Sequence, residues 1–236
     1  MGSIYLIRHG QASFGADDYD VLSPVGTRQS KVLGAHMAEL GLSLDRCLAG
    51  DLRRQQDTAR LAMASLQAGG ALVPALETDA AFNEFDADAV IRALLPGLLP
   101  DEPEALHILR NARDNRAEFQ RLFALIVQRW HGGQHDTDGL ESWAGFVQRT
   151  GDGLQRVLEQ AASGDNIAIF TSGGTIAALL HRVTGISASQ AFELNWQIIN
   201  TSLSQLKFRG SEVTLASFNS QAHVRLLRVP ELVTYR

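Results

Sequence analysis

Short apolar runs and longer amphipathic stretches take turns along this chain. The run "SIYLIRH" at 3–9 is apolar without alternation, as expected of a central strand in a parallel sheet. "LSPVGTRQSKVLGAHMAELG" then takes up helical spacing. Ser23 is placed to cap, Pro24 fills the first helical position, and Gly41 supplies the stop. Val25, Val32, Leu33, Met37 and Leu40 make its apolar face. "RCLAG" (46–50) reads as a second strand, and "DLRRQQDTARLAMASLQAGG" as a helix ending at Gly69 and Gly70. "ALVPAL" (71–76) reads as a third strand, placed at an edge because Pro74 has no amide hydrogen.

The stretch 86–140 breaks the rhythm. A short helix stops at "LPGLLPDEP", a longer helical region runs from Glu104 to about Trp130, and "HGGQHDTDG" interrupts it. "ESWAGFVQRTGDGLQRVLEQAASG" is amphipathic again, with Trp143, Phe146, Val147, Leu154, Val157 and Leu158 inward. "NIAIFT" (166–171) is the clearest buried strand and runs into "SGGTIAALLHRVTG", a Gly-rich turn opening a helix. The tail carries strand patterns in "SLSQLKF", "EVTLASF" and "HVRLL". Strands alternating with helices predict a three-layer α/β/α sandwich with a mainly parallel sheet. The whole of 1–236 forms one domain in this reading, with a helical cap insertion at about 86–140. Ligands of such folds sit at the carboxyl ends of the strands, which singles out Arg8–Gly10, Asp51–Arg54 and Ser172–Gly174.

Composition narrows the partners. With 236 residues, 45% of them hydrophobic, the chain can bury a sizeable core. A formal charge of −5 argues against nucleic acid and anionic membrane surfaces. No stretch approaches the roughly 20 apolar residues of a membrane helix, and no signal peptide is visible, so the expected location is cytoplasmic. Cys47 is the single cysteine, excludes an internal disulfide and reads as a buried strand residue. Nothing in the sequence marks an oligomeric interface.

Against this acidic background the strand ends are basic. Arg8 and His9 close the first strand, Arg53 and Arg54 open the helix after the second, and "TSGGT" presents a helix N-terminus to an anion. Arginines around one imidazole make a site for a phosphoryl group, which a neutral imidazole can attack. Glu84 in "AAFNEFDAD" is the candidate acid, with Phe82 and Phe85 beside it as surroundings that raise a carboxyl pKa. Taken singly, each has a structural reading: His9 as a strand end, Arg53 as a solvated partner of Asp57, Glu84 as a loop carboxylate. Their convergence on one sheet edge favours chemistry.

"LIRHGQ" resembles the signature of the histidine phosphatase superfamily, the phosphoglycerate-mutase-like enzymes. "LSPVGTRQSKVLG" is similar to the family's first helix, "GDLRRQQDTA" to its arginine segment and "FNEFD" to the segment of its acid. "LESWAGFVQR" and "IAIFTSGGTIAALL" follow in order, so the resemblance spans nearly the whole chain. It implies a small phosphorylated substrate and a two-step phosphoryl transfer with no metal or other cofactor. His9 becomes a phosphohistidine, Arg8 and Arg54 bind the phosphoryl oxygens, and Glu84 protonates the leaving group.

Two positions depart from the family pattern. Ser172 stands where the family has a second histidine, in "TSGG" for S-H-G-G, with Gly173 beside it. A lost transition-state donor costs on the order of 10²–10³ in rate unless another group replaces it. Phe14 and Gly15 replace a tryptophan-asparagine pair that reaches the phosphate, leaving Gln11 and Ser13 as substitutes. The expected protein is a phosphatase, slow or of unusual specificity. A paralogue that binds a phospho-ligand without turnover is the alternative. A mutase fits less well, because the insertion lacks the basic tryptophan-arginine run that mutases use.

Rival chemistries have weaker support. His131, His135, Asp136 and Asp138 could ligate a metal, but the glycines between the histidines do not secure helical spacing. Phe170 fills the first glycine position of a nucleophile elbow around Ser172, and no phosphate-loop motif is present. His36, His107, His181 and His223 read as structural. Leu95–Leu99 with Trp130 and Trp143 read as packing within the insertion. The substrate stays open among sugar phosphates, nucleotides, phosphorylated cofactor intermediates and phosphoproteins.

Overall fold

The computed structural model describes residues 1–13, 20–112 and 114–235. Its strands are β1 (Gly2–Arg8), β2 (Arg46–Ala49), β3 (Leu76–Thr78), β4 (Asn166–Thr171), β5 (Leu203–Arg209) and β6 (Glu212–Ser220). They form one sheet in the order β3-β2-β4-β1-β5-β6. The first four run parallel, and β5 and β6 are antiparallel additions on the far side of β1. This is the mainly parallel α/β sheet expected from the alternating pattern.

The chain divides into two compact units, one of residues 1–84 with 149–236 and one of residues 85–148. In the first, the strand pleat sorts residues to two faces. Ile4, Leu6, Ile167 and Ile169 pack with Leu154, Val157 and Leu158 of α6 (Trp143–Gln160) and with Ile176, Leu179 and Leu180 of α7 (Gly173–Thr184). On the other face Ile7, Cys47, Ala49, Ala168 and Phe170 meet Leu33 and Met37 of α1 (Pro24–Glu39) and Ala59, Ala62, Met63 and Leu66 of α2 (Arg53–Ala68). Helices therefore cover both faces of the sheet. Ser23 caps α1 by accepting from Gly26 N at 3.0 Å, with Pro24 at its first position.

The unit 85–148 holds α3 (Ala87–Leu94), α4 (Ala105–Arg110), α5 (Arg116–His131) and the start of α6. Its core is aromatic. The Phe85 and Trp130 rings lie 4.6 Å apart, Trp143 meets Trp130 edge-on at 5.6 Å, and Trp130 Nε1 donates to Glu141 O at 2.7 Å. Trp130 and Trp143 are thus packing residues, as the sequence reading favoured.

Several local expectations are corrected. Residues 71–75 stay outside the sheet, and only Leu76–Thr78 pairs, although at the expected edge. The region from Glu104 to Trp130 is two helices, not one, because α4 stops at Asn111. "HVRLL" is no strand: Ala222–Arg225 makes a single helical turn that buries His223 and Val224. Leu40 is exposed beyond the end of α1, while Val25 and Val32 pack with Ile199, Val224 and Leu232. Cys47 is fully buried, and burial pushes its thiol up to about 12. Among the described residues no helix is long and apolar enough to cross a membrane.

Candidate active site

β2, β4 and β1 are neighbours, so three carboxyl ends converge. Arg8 stands in register with Thr171, and His9 N donates to Thr171 O at 2.8 Å, which sets His9 beside Ser172. Arg54 opens α2 just beyond β2.

The His9 ring is buried, and both its nitrogens have partners of fixed role. Nδ1 lies 2.7 Å from Gly10 O, which can only accept, and Nε2 receives Arg54 Nε at 3.2 Å, which can only donate. The ring is therefore neutral, protonated on Nδ1, with the Nε2 lone pair on the arginine side. Burial first, then Arg54 and Arg8, hold His9 well below the usual imidazole range, against the opposing pull of the Gly10 carbonyl.

The backbone around His9 is braced from three directions. Gly10 N donates to Thr58 Oγ1 of α2 at 2.9 Å, and Gln11 N to Gln29 Oε1 of α1 at 2.9 Å. Asn200 Nδ2 donates to His9 O at 2.9 Å, and Thr201 N to Arg8 O at 3.0 Å. Thr201 has φ +61°, a left-handed backbone that costs a β-branched residue on the order of 1–3 kcal/mol. A Cβ at Gly26 would fall 2.1 Å from Gln11 O, so only glycine lets α1 approach this loop. The support extends to the C-terminal segment. Gln29 Nε2 donates to Thr234 Oγ1 at 2.7 Å, which donates to Asn200 Oδ1 at 2.9 Å.

Arg54 is buried. Besides His9, its Nη1 meets Asp20 Oδ1 at 2.7 Å. Asp20 Oδ2 also accepts Arg53 N at 2.7 Å, so this carboxylate caps α2, whose own N-cap residue Leu52 makes no side-chain cap. The Arg8 guanidinium donates to Ile198 O. Arg53 points away, with its side chain 61% exposed and 3.4 Å from Asp57, the solvated partner expected of it.

The segment 82–84 is clipped to the end of β4 and to α7. Thr171 Oγ1 donates to Phe82 O at 2.6 Å, Thr175 Oγ1 to Asn83 O at 3.0 Å, and Gly174 N to Glu84 Oε2 at 2.9 Å. Glu84 thus accepts an amide at the N-terminus of α7, a polar contact alongside the phenylalanines that flank it in sequence. The Gly174 amide is committed to Glu84, which leaves Gly173 as the backbone donor of the pair. A Cβ on Gly173 would fall 2.3 Å from Asn195 Oδ1, and Arg8 Nε lies 3.7 Å from the same point. Ser172 is fully buried at the N-cap position of α7 yet makes no cap bond, and its Oγ accepts from Gln55 Nε2 at 2.8 Å.

The structure therefore brings together Arg8, His9, Arg54, Ser172, Gly173 and Glu84. Ser13 lies in the loop after His9, held by its backbone amide to Val21 O at 2.8 Å, and Gln11 Oε1 accepts from Ser23 Oγ at 2.9 Å. Phe14 and Gly15 lie outside the described residues. His131, His135, Asp136 and Asp138 do not gather: no group of three or more metal-ligating side chains occurs among the described residues. Sequence reasoning missed Asp20, Gln55, Asn200 and Thr201. The acid-amide-hydroxyl types were visible, but nothing in spacing ties residues 20, 55 and 200 to residue 9.

A model of the histidine phosphatase superfamily (branch 1) matches residues 4–107 and 111–221. The chain belongs to that superfamily. No curated protein matches it in sequence. Among solved structures it is similar to a phosphoserine phosphatase variant from Entamoeba histolytica in complex with phosphoserine, at 18% identity and TM-score 0.62, covering 95% of this chain and 100% of that one. It is likewise similar to phosphoglycerate mutase from Bacillus anthracis str. Sterne, at 17% and 0.64 over 97% of each chain. A third is the alpha-ribazole phosphatase from Shigella flexneri, at 21% and 0.61 over 92% and 96%. At these identities the likeness establishes the shared fold.

Proposed function

We propose that the protein is a phosphomonoester hydrolase working through a phosphohistidine on His9. The observation that carries this is the neutral, doubly anchored imidazole, whose Nε2 faces an arginine. An incoming phosphoryl group supplies the oxygens that replace Nε2 and Asp20 as acceptors for Arg54, freeing the lone pair. Nε2 then attacks phosphorus, forming the N–P bond as the P–O bond to the leaving group breaks. Arg8, Arg54, the Ser172 hydroxyl and Gly173 N receive the charge on the equatorial oxygens. Glu84 gives its proton to the leaving oxygen and later takes one from the water that cleaves the N–P bond. Nδ1–H remains on Gly10 O throughout, steadying the ring while it carries the phosphoryl group.

The test is hydrolysis of an aryl phosphate in excess chelator, with trapping of labelled enzyme. Wild type is expected to turn over and to carry an acid-labile, base-stable phosphoryl label. His9→Ala loses the label and at least about 10³-fold in rate. Turnover that survives His9→Ala would overturn the proposal. Ser172 favours a second reading, binding without catalysis, which predicts inorganic phosphate binding in wild type with no turnover of any phosphomonoester.

A further inference from the structure

Gln55 has no place in the mechanism above, yet it lies fully buried one residue after Arg54. Its Nε2 donates to Ser172 Oγ at 2.8 Å and to Phe82 O at 3.2 Å, while Oε1 is buried with no partner among the described residues. The Phe82 carbonyl settles the direction of the amide, because that oxygen can only accept. It accepts from Thr171 Oγ1 as well, at 2.6 Å, so no donor is missing there. Ser172 is consequently the acceptor in its bond to Gln55, and the hydroxyl proton must go elsewhere. Among the described residues no side chain or carbonyl receives it. A serine at a helix N-cap ordinarily turns its oxygen to the helix amides. Here Ser172 makes no cap bond: Glu84 takes Gly174 N, and the serine oxygen accepts from Gln55.

We infer that Gln55 is a positioning residue: it holds the oxygen of Ser172 from behind so that the hydroxyl proton is delivered to a phosphoryl oxygen bound by Arg8 and Arg54. The inference rests on the phosphoryl-transfer reading above and deepens it. A neutral hydroxyl rotates about its C–O bond, and an amide N–H on one of its two lone pairs favours the rotamers that turn the proton away from that amide. The amide does this from within the core, where water cannot compete. Leaving Oε1 without a donor is a cost the fold accepts at this one place. Gly50 leaves room for it, since a Cβ there would fall 2.0 Å from Gln55 Oε1.

The experiment is a double-mutant cycle between positions 55 and 172 in the full chain, read by aryl phosphate turnover and by binding of orthovanadate and inorganic phosphate. Gln55→Met keeps the length but loses the donor, and is expected to lower kcat/KM and vanadate affinity together by roughly tenfold. Ser172→Ala gives a similar loss, and Gln55→Met in the Ser172→Ala background adds nothing further. Gln55→Glu reverses the bond, drawing the serine proton onto a carboxylate, and costs more than Gln55→Met. Thermal melting of each variant separates lost fold from lost function. Additive losses in the double mutant, or lower stability with unchanged vanadate affinity, would make Gln55 a core residue and overturn the inference. Failure of the underlying reading looks different: turnover then persists in His9→Ala or is absent in wild type. In that event coupling between 55 and 172 in phosphate binding alone decides the point.

Discussion

Two adjacent parallel strand ends build this site by opposite means. The end of β1 is charged and over-supported: His9 and its neighbours are tied to α1, α2 and the 200–202 loop. The end of β4 is neutral, and its side-chain hydroxyl depends on the direction of one hydrogen bond from Gln55. A buried cluster of arginine and imidazole has to be held against its own desolvation, so it needs many fixed partners. A neutral donor needs few, because nothing forces it from the interior. Rigidity is spent where charge is.

Damage to the charged end is therefore expected to be the larger. Arg54→Lys keeps the charge but removes the fork that spans His9 and Asp20, and should cost on the order of 10²–10³ in kcat, measured on an aryl phosphate. A loss no greater than that of Ser172→Ala would erase the distinction.

The charged end should also own the pH dependence of stability. His223 is buried against Thr201, and burial, then the nearby His36, lowers it from 6.5 to about 4. His9 is lowered in the same direction. A histidine depressed in the folded state leaves stability complete above the unfolded pKa near 6.5. That stability drains as pH falls, because the unfolded chain binds the proton first. The window for His223 is therefore about pH 6.5 down to about 4. From pH 7 to pH 5 this residue alone should remove on the order of 2 kcal/mol, read by urea unfolding. His223→Gln should flatten the profile without touching the β4 end.

The smallest effect is expected at Asp20. Its carboxylate holds Arg54 Nη1 at 2.7 Å with its side chain 33% exposed, where the proposed mechanism seats a phosphoryl oxygen. Asp20→Asn should tighten inorganic phosphate inhibition by about threefold, as fits a partly exposed ion pair. Weaker inhibition would show that Asp20 serves to orient the guanidinium more than to compete for it.

The charged end was also the legible one. Arg8, His9 and Arg54 follow from short strands that end in basic residues, since a parallel sheet gathers such ends at one edge. Glu84 and Ser172 were legible by resemblance and position. The supports were not. Asn200 and Thr201 fall outside every strand and helix pattern read from the sequence, and Thr201 adopts a backbone its residue type disfavours, which only its surroundings explain. Gln55 reads as a polar helix position, and its partner is 117 residues away. "HVRLL" alternates like a strand but lies beyond the last paired residue of β6, where one helical turn tucks His223 against Thr201. Propensity weighs neighbours in sequence, whereas these residues answer to neighbours in space.

The link from Gln29 through Thr234 and Asn200 to the His9 carbonyl bears on folding. Its bonds join residues 191 and 205 positions apart, so the brace closes only when two distant stretches of chain have met. Order in the loop around His9 is thereby tied to docking of the segment that carries Leu232 and Thr234. A variant that loosens that segment should loosen the His9 loop with it, at a distance in sequence where no local propensity would foretell it.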